Sequence, residues 1–209
     1  VDVYVSVRSD DKGYVWKNDA DTELIPNETG SNITVSPYAV RSQGKDVYIA
    51  GEEIKSGVAR PLVWEKDGSL HWIGTNRWSA AYDIAFYKGK TLIVGKTYDY
   101  TDSGASITDI SNPADPVLTF LYKQTPPIDL AGARALCAGS GTLYAAGFKQ
   151  DGTTNKRTVF LWAGSDAGTM SELELGLEGQ PTYTNDIPYG VCTVGTSVYV
   201  AAGNLWKVD

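Results

Sequence analysis

Short apolar runs, bounded by polar residues and glycine, recur along the chain. The clearest is Asp46–Gly51, read Asp-Val-Tyr-Ile-Ala-Gly. Variants stand at Val3-Tyr4-Val5-Ser6, Leu92-Ile93-Val94-Gly95, Leu143-Tyr144-Ala145-Ala146-Gly147 and Val198-Tyr199-Val200-Ala201. With Tyr4, Tyr48, Ile93, Tyr144 and Tyr199 as centres, the steps are 44, 45, 51 and 55 residues. Self-similarity at that period, built from short apolar runs, predicts strands arranged as propeller blades or a similar array. No stretch combines a 3.6-residue apolar period with a cap, so helices are not expected.

Each repeat resolves into four pieces, a to d from hub to rim. In the second repeat, a is Pro37–Ser42, turning at Gln43-Gly44, and b is Asp46–Gly51. A polar loop, Glu52–Ala59, leads to c at Pro61–Glu65, and d is Leu70–Ile73. Piece c carries an aromatic near its end: Trp16, Trp64, Tyr122, Trp162 and Trp206. A residue repeated at one place in every unit reads as packing between sheets rather than as a sugar-binding ring. Piece a recurs as Tyr38-Ala39-Val40, Tyr82-Asp83-Ile84, Arg134-Ala135-Leu136 and Tyr189-Gly190-Val191, crowded with small residues as an inner strand requires. Five b and five c pieces stand against four a and four d pieces, because the first repeat lacks a and the last ends after c. The expected fold is all-β: a β-propeller of about five four-stranded antiparallel blades, as a single domain over residues 1–209. For the uneven ends, an upstream strand, a larger propeller and incomplete terminal blades all stay open.

The charge of −7 changes the picture by disfavouring nucleic acid, whose phosphates need a basic surface. No stretch approaches the roughly 20 apolar residues of a membrane-spanning helix. Tyr and Trp, 13 and 6 against 4 Phe, suit sheet faces and binding surfaces, since each joins an apolar body to a polar tip. Cys137 and Cys192 each precede a repeat tyrosine by seven residues and read as buried free thiols at equivalent positions. There is one histidine, His71, which argues against a Ser-His-Asp triad or a histidine-rich metal site. No phosphate loop or dinucleotide fingerprint is present, so no cofactor is expected.

In a propeller the d–a and b–c loops share one rim, and a site belongs where the repeats differ. The d–a loop Gly74–Ala80 carries Arg77 and Trp78. The stretch Thr97–Asp115 reads as a long b–c loop holding Tyr98 and Tyr100. Strand a starts at the same rim and places Tyr38, Tyr82, Arg134 and Tyr189 around the channel mouth. These eight residues are the candidate ligand-binding set. The mouth tyrosines either stack on a ligand or pack the channel and bond neighbouring backbone. No residue is assigned to metal or to catalysis, although Asp83 with Asp99 or Asp186 is a conceivable carboxylate pair for glycoside cleavage.

The unit Val-Tyr-Val-Ala-Gly, loop, Leu-Trp-Lys, short strand and small-residue inner strand resembles the propeller repeats of secreted or lipid-anchored surface proteins of gut-type Gram-negative bacteria. It does so at Tyr4, Tyr48, Tyr144, Tyr199 and the c-strand tryptophans. The resemblance implies a surface or periplasmic location, with a lipid anchor needing a cysteine upstream of Val1. It also implies a glycan, peptide or protein ligand, or a role as accessory subunit on an outer-membrane nutrient importer. Five-bladed lectins of the tachylectin type are a second analogy, without a lectin motif in this chain. The leading expectation is a non-enzymatic binding propeller. The alternatives are the importer subunit and a glycoside hydrolase or lyase with its acid pair at the channel mouth.

Overall fold

The computed structural model describes residues 3–18, 23–25, 33–65, 69–73, 79–98, 103–124, 130–154, 156–175 and 187–208. Blade one holds β1 (Tyr4–Ser9), β2 (Lys12–Lys17) and β3 (Glu23–Leu24). Blade two holds β4 (Ile33–Gln43), β5 (Asp46–Lys55), β6 (Val58–Glu65) and β7 (Leu70–Trp72). Blade three holds β8 (Ala80–Tyr87), β9 (Lys90–Tyr98), β10 (Ser103–Asp109) and β11 (Val117–Gln124). Blade four holds β12 (Leu130–Ala138), β13 (Leu143–Gln150), β14 (Arg157–Gly164) and β15 (Ser171–Leu175). Blade five holds β16 (Gly190–Val194), β17 (Ser197–Ala202) and β18 (Asn204–Val208). Every strand pairs antiparallel with its chain neighbour in the blade. This is a β-propeller, and among the described residues blade one lacks strand a and blade five lacks strand d, as the repeat count anticipates. A three-residue 3-10 turn, Ala167–Thr169, precedes β15.

Tight turns set the strand lengths. Both turn residues have positive φ at Asp10-Asp11 (49° and 65°), Ser56-Gly57 (52° and 77°) and Lys88-Gly89 (49° and 76°). Two-residue hairpins favour that geometry because it matches the strand twist. The stretch expected as a loop, Glu52–Ala59, is therefore mostly strand, with only Ser56 and Gly57 between β5 and β6.

Blade three corrects a larger assignment. The segment expected as a long loop contains β10, which is strand c, and Val117–Gln124 is strand d. Tyr122 is thus a d-strand residue. Strand β10 hides from a repeat search because it carries Gly104, Ala105, Ser106 and Thr108 instead of an aromatic mark. Trp64 stands opposite Ile49, and Trp162 opposite Ala145; the equivalent residue opposite Ile93 is Thr108. The same registers align Leu92, rather than Ile93, with Tyr48 and Tyr144.

The core lies between blades. Side chains alternate along a strand, so each b strand feeds two layers. Val94 and Leu92 pack toward blade four with Leu136 and Trp162, while Ile93 packs toward blade two with Val63 and Ile84. Ile25 joins Val35, Leu62 and Trp64 between blades one and two, and Leu161 joins Val198 and Val200 between blades four and five. Each large side chain buried in these layers contributes roughly 1.5–3 kcal/mol. Trp64 and Trp162 are 0% and 1% exposed, in keeping with a packing role. Trp16 and Trp206, in the terminal blades, are half-buried. Cys137 and Cys192 are free and stand opposite Tyr144 and Tyr199. They are not both buried, however. Cys137 is half-buried near Thr193, and Cys192 is exposed on the edge strand of blade five.

Candidate functional site: a row of bulged residues

The inner strands of blades two, three and four each carry a β-bulge at the same place. Pro37 pairs with Gly51 and Ala39 with Ala50, leaving Tyr38 over. Ala81 pairs with Gly95 and Asp83 with Val94, leaving Tyr82 over. Ala133 pairs with Gly147 and Ala135 with Ala146, leaving Arg134 over. A bulge re-aims the extra residue and leaves it outside the ladder. The glycine opposite is required by space. A Cβ on Gly51, Gly95 or Gly147 would run into the carbonyl oxygen of Ser36, Ala80 or Gly132. The repeated Ala-Gly or Val-Gly within strand b is thus the sequence signature of the bulge.

The three bulged side chains meet. The rings of Tyr38 and Tyr82 lie 5.1 Å apart, tilted by 54°. The guanidinium carbon of Arg134 sits 3.6 Å from the Tyr82 ring centre and 5.9 Å from that of Phe148. The Tyr38 hydroxyl donates to Glu52 Oε1 at 2.6 Å. Glu52, Lys96 and Phe148 each follow the bulge glycine in strand b, and they line the row beside the bulged residues. The repeat reading missed them. Their signal is a residue that changes from Glu to Lys to Phe directly after a glycine that recurs.

Electrostatics divides the row. Burial first, then the hydrogen bond and charge of Glu52, push the Tyr38 phenol up from its ordinary value. Burial likewise raises Tyr82, against the pull of Arg134. Burial, then the charge of Arg134, hold the Lys96 ammonium below the usual lysine value. The acid end is Glu52 and the cationic end is Arg134 with Lys96.

Tyr189 holds the equivalent register position in blade five. Gly190 pairs with Ala201 as Ala135 pairs with Ala146, and Tyr189 is 79% exposed. Its amide donates to the Ala201 carbonyl at 2.8 Å. Tyr98 ends β9 with its amide bonded to Ser79 Oγ at 3.1 Å, so it is a strand residue rather than part of a long loop. Arg77, Trp78 and Tyr100 lie outside the described residues, as do Asp99 and Asp186. Asp83 is engaged elsewhere. Its Oδ1 pairs with Arg41 at 2.7 Å and accepts from the Ile84 amide at 2.9 Å, while Oδ2 accepts from the Leu136 amide at 3.0 Å. Burial raises its carboxyl, opposed by Arg41 and the two amides. His71 Nε2 lies 2.9 Å from Glu65 Oε1. A cavity of about 60 Å³ lies between blades two and three, lined by Ser79, Thr97, Ser106 and Thr108 among others and reaching Lys96 of the row.

No protein-family model matches the chain, and no curated protein matches it. Among solved structures, it is similar to a mutant of the lectin of Aleuria aurantia in complex with Fucα1-6GlcNAc. Identity is 12%, the match covers 98% of this chain and 74% of that one, and the TM-score is 0.47. The fold stated above rests on the sheet topology of the chain itself.

Proposed function

We propose that the chain is a non-enzymatic binding propeller that holds a glycan or peptide against the row Tyr38–Tyr82–Arg134. One observation carries the reading. Three inner strands each bulge at the same place and so bring two tyrosines and, where blade four departs from tyrosine, an arginine into one contiguous surface. Packing alone would not need it, because the interblade layers are filled by other residues. Aromatic faces stack on sugar or peptide surfaces, and Glu52 and Arg134 supply an acceptor and a donor fork beside them. Asp83, the acid nearest the row in sequence, has its carboxylate committed to one cation and two amides, which favours binding over carboxylate chemistry. A surface or periplasmic location accompanies this reading through the resemblance of the repeats.

The test is a mixed glycan and peptide array probed with the wild-type chain, Tyr38→Ala and Arg134→Ala. The reading expects a ligand whose binding is lost in both variants. Wild-type binding by both would overturn it.

A further inference from the structure

We infer that the ligand of this row is an acidic saccharide whose carboxylate sits between Arg134 and Lys96. The inference rests on the binding function proposed above and names its ligand class.

Two cations of the row lack an anion among the described residues. Arg134 makes ring contacts with Tyr82 and Phe148, and its Nε is buried without a hydrogen-bond partner among the described residues. No acid pairs with Arg134 or Lys96 among the described residues. The two stand on neighbouring strands of adjacent blades, Lys96 on β9 and Arg134 on β12. Lys96 lies opposite Ala80 in blade three, and a Cβ on Gly132, two residues before Arg134, would lie 3.6 Å from Lys96 Cβ. Both are partly buried. Two like charges drawn out of water side by side are costly unless an anion joins them. The depressed ammonium of Lys96, caused by burial and by Arg134, agrees with that tension.

The remaining residues select the ligand. A guanidinium offers a planar fork that binds a carboxylate through two parallel hydrogen bonds, and a lysine adds a point charge beside it. Away from the cations stand Tyr38, which is 43% exposed, and Glu52, whose carboxylate accepts from the Tyr38 hydroxyl. Tyrosine faces stack on the C–H faces of a pyranose, and a carboxylate accepts from its hydroxyls. An acidic peptide would gain the cationic end but would meet a second carboxylate, Glu52, at the other. An acidic sugar with free hydroxyls fits both ends.

The experiment is isothermal titration of the chain with a panel of uronic-acid- and sialic-acid-bearing oligosaccharides. Each is set beside its carboxyl-reduced counterpart, and one Glu-rich peptide is included. At least one acidic member should bind about tenfold or more tightly than its reduced form. Arg134→Met and Lys96→Met should each erase that preference, while Lys96→Arg keeps it. Near-ultraviolet circular dichroism checks the fold of each variant. Equal binding of the reduced forms, failure of every acidic member, or capture of the peptide alone would each overturn the inference. If neutral sugars bind and Tyr38→Ala or Tyr82→Ala abolishes it, the acidic class falls and the binding row stands. Sugar binding that ignores all of these substitutions brings down both.

Discussion

Asp83 Oδ2 accepts the backbone amide of Leu136 at 3.0 Å, so a side chain fastens the inner strand of blade three to that of blade four. The other oxygen pairs with Arg41 of blade two at 2.7 Å. One carboxylate thus links three consecutive inner strands directly below the bulged row. Asp83→Ala leaves two buried amides and Arg41 without it. It is expected to cost about 2–4 kcal/mol, read as a lower urea midpoint with an unchanged slope. Asp83→Asn should cost less, since an amide oxygen still accepts one of the bonds.

The bulge itself can be tested at Gly95. Alanine there would press its Cβ on the Ala80 carbonyl, which belongs to the backbone and cannot swing away. Gly95→Ala is expected to lose about 1–3 kcal/mol. Gly44, with open space around it and a φ of 64°, should lose less on the same change. Paired thermal melts of the two variants check this.

The packing role of the tryptophans predicts a gradient. Trp162 is fully buried against Leu92, Ile107 and Leu143, and its indole N–H donates to Glu172 at 3.0 Å. Trp162→Ala should cost about 3–5 kcal/mol. Trp16 is only half-buried, so Trp16→Ala should cost clearly less. Chemical denaturation of both variants decides it, and an equal loss would contradict the interblade account.

Much of this architecture is legible in the sequence. The period of Tyr48, Tyr144 and Tyr199 locates the b strands, and the shortage of a and d pieces matches the three-stranded terminal sheets. Strand β10 is not legible, because Gly104, Ala105 and Ser106 pack through small size, which leaves no apolar alternation to detect. The bulged trio Tyr38, Tyr82 and Arg134 follows from aligning the repeats. Glu52, Lys96 and Phe148 do not, since the residue after the strand-b glycine is brought beside the bulge only by the ladder register.

The affinity for an acidic saccharide should depend on pH through Lys96. Burial and Arg134 lower its ammonium, so it loses its proton below the ordinary lysine value of 10.5. Binding should therefore weaken as pH rises through that lowered value, and Lys96→Arg should remove the decline. Tyr38 and Tyr82 do not interfere, because burial holds both phenols protonated beyond their usual value. Titrations across the alkaline range at fixed ionic strength check the sign. A rise in affinity with pH would contradict it.

The most direct measurement is a crystal structure of the chain with the tightest ligand from the array. The account predicts density lying across Tyr38 and Tyr82, with an oxygen of the ligand within hydrogen-bond distance of Arg134. A ligand seated instead in the cavity beside Ser79 and Ser106, or on the outer strands, would contradict the assignment of the bulged row.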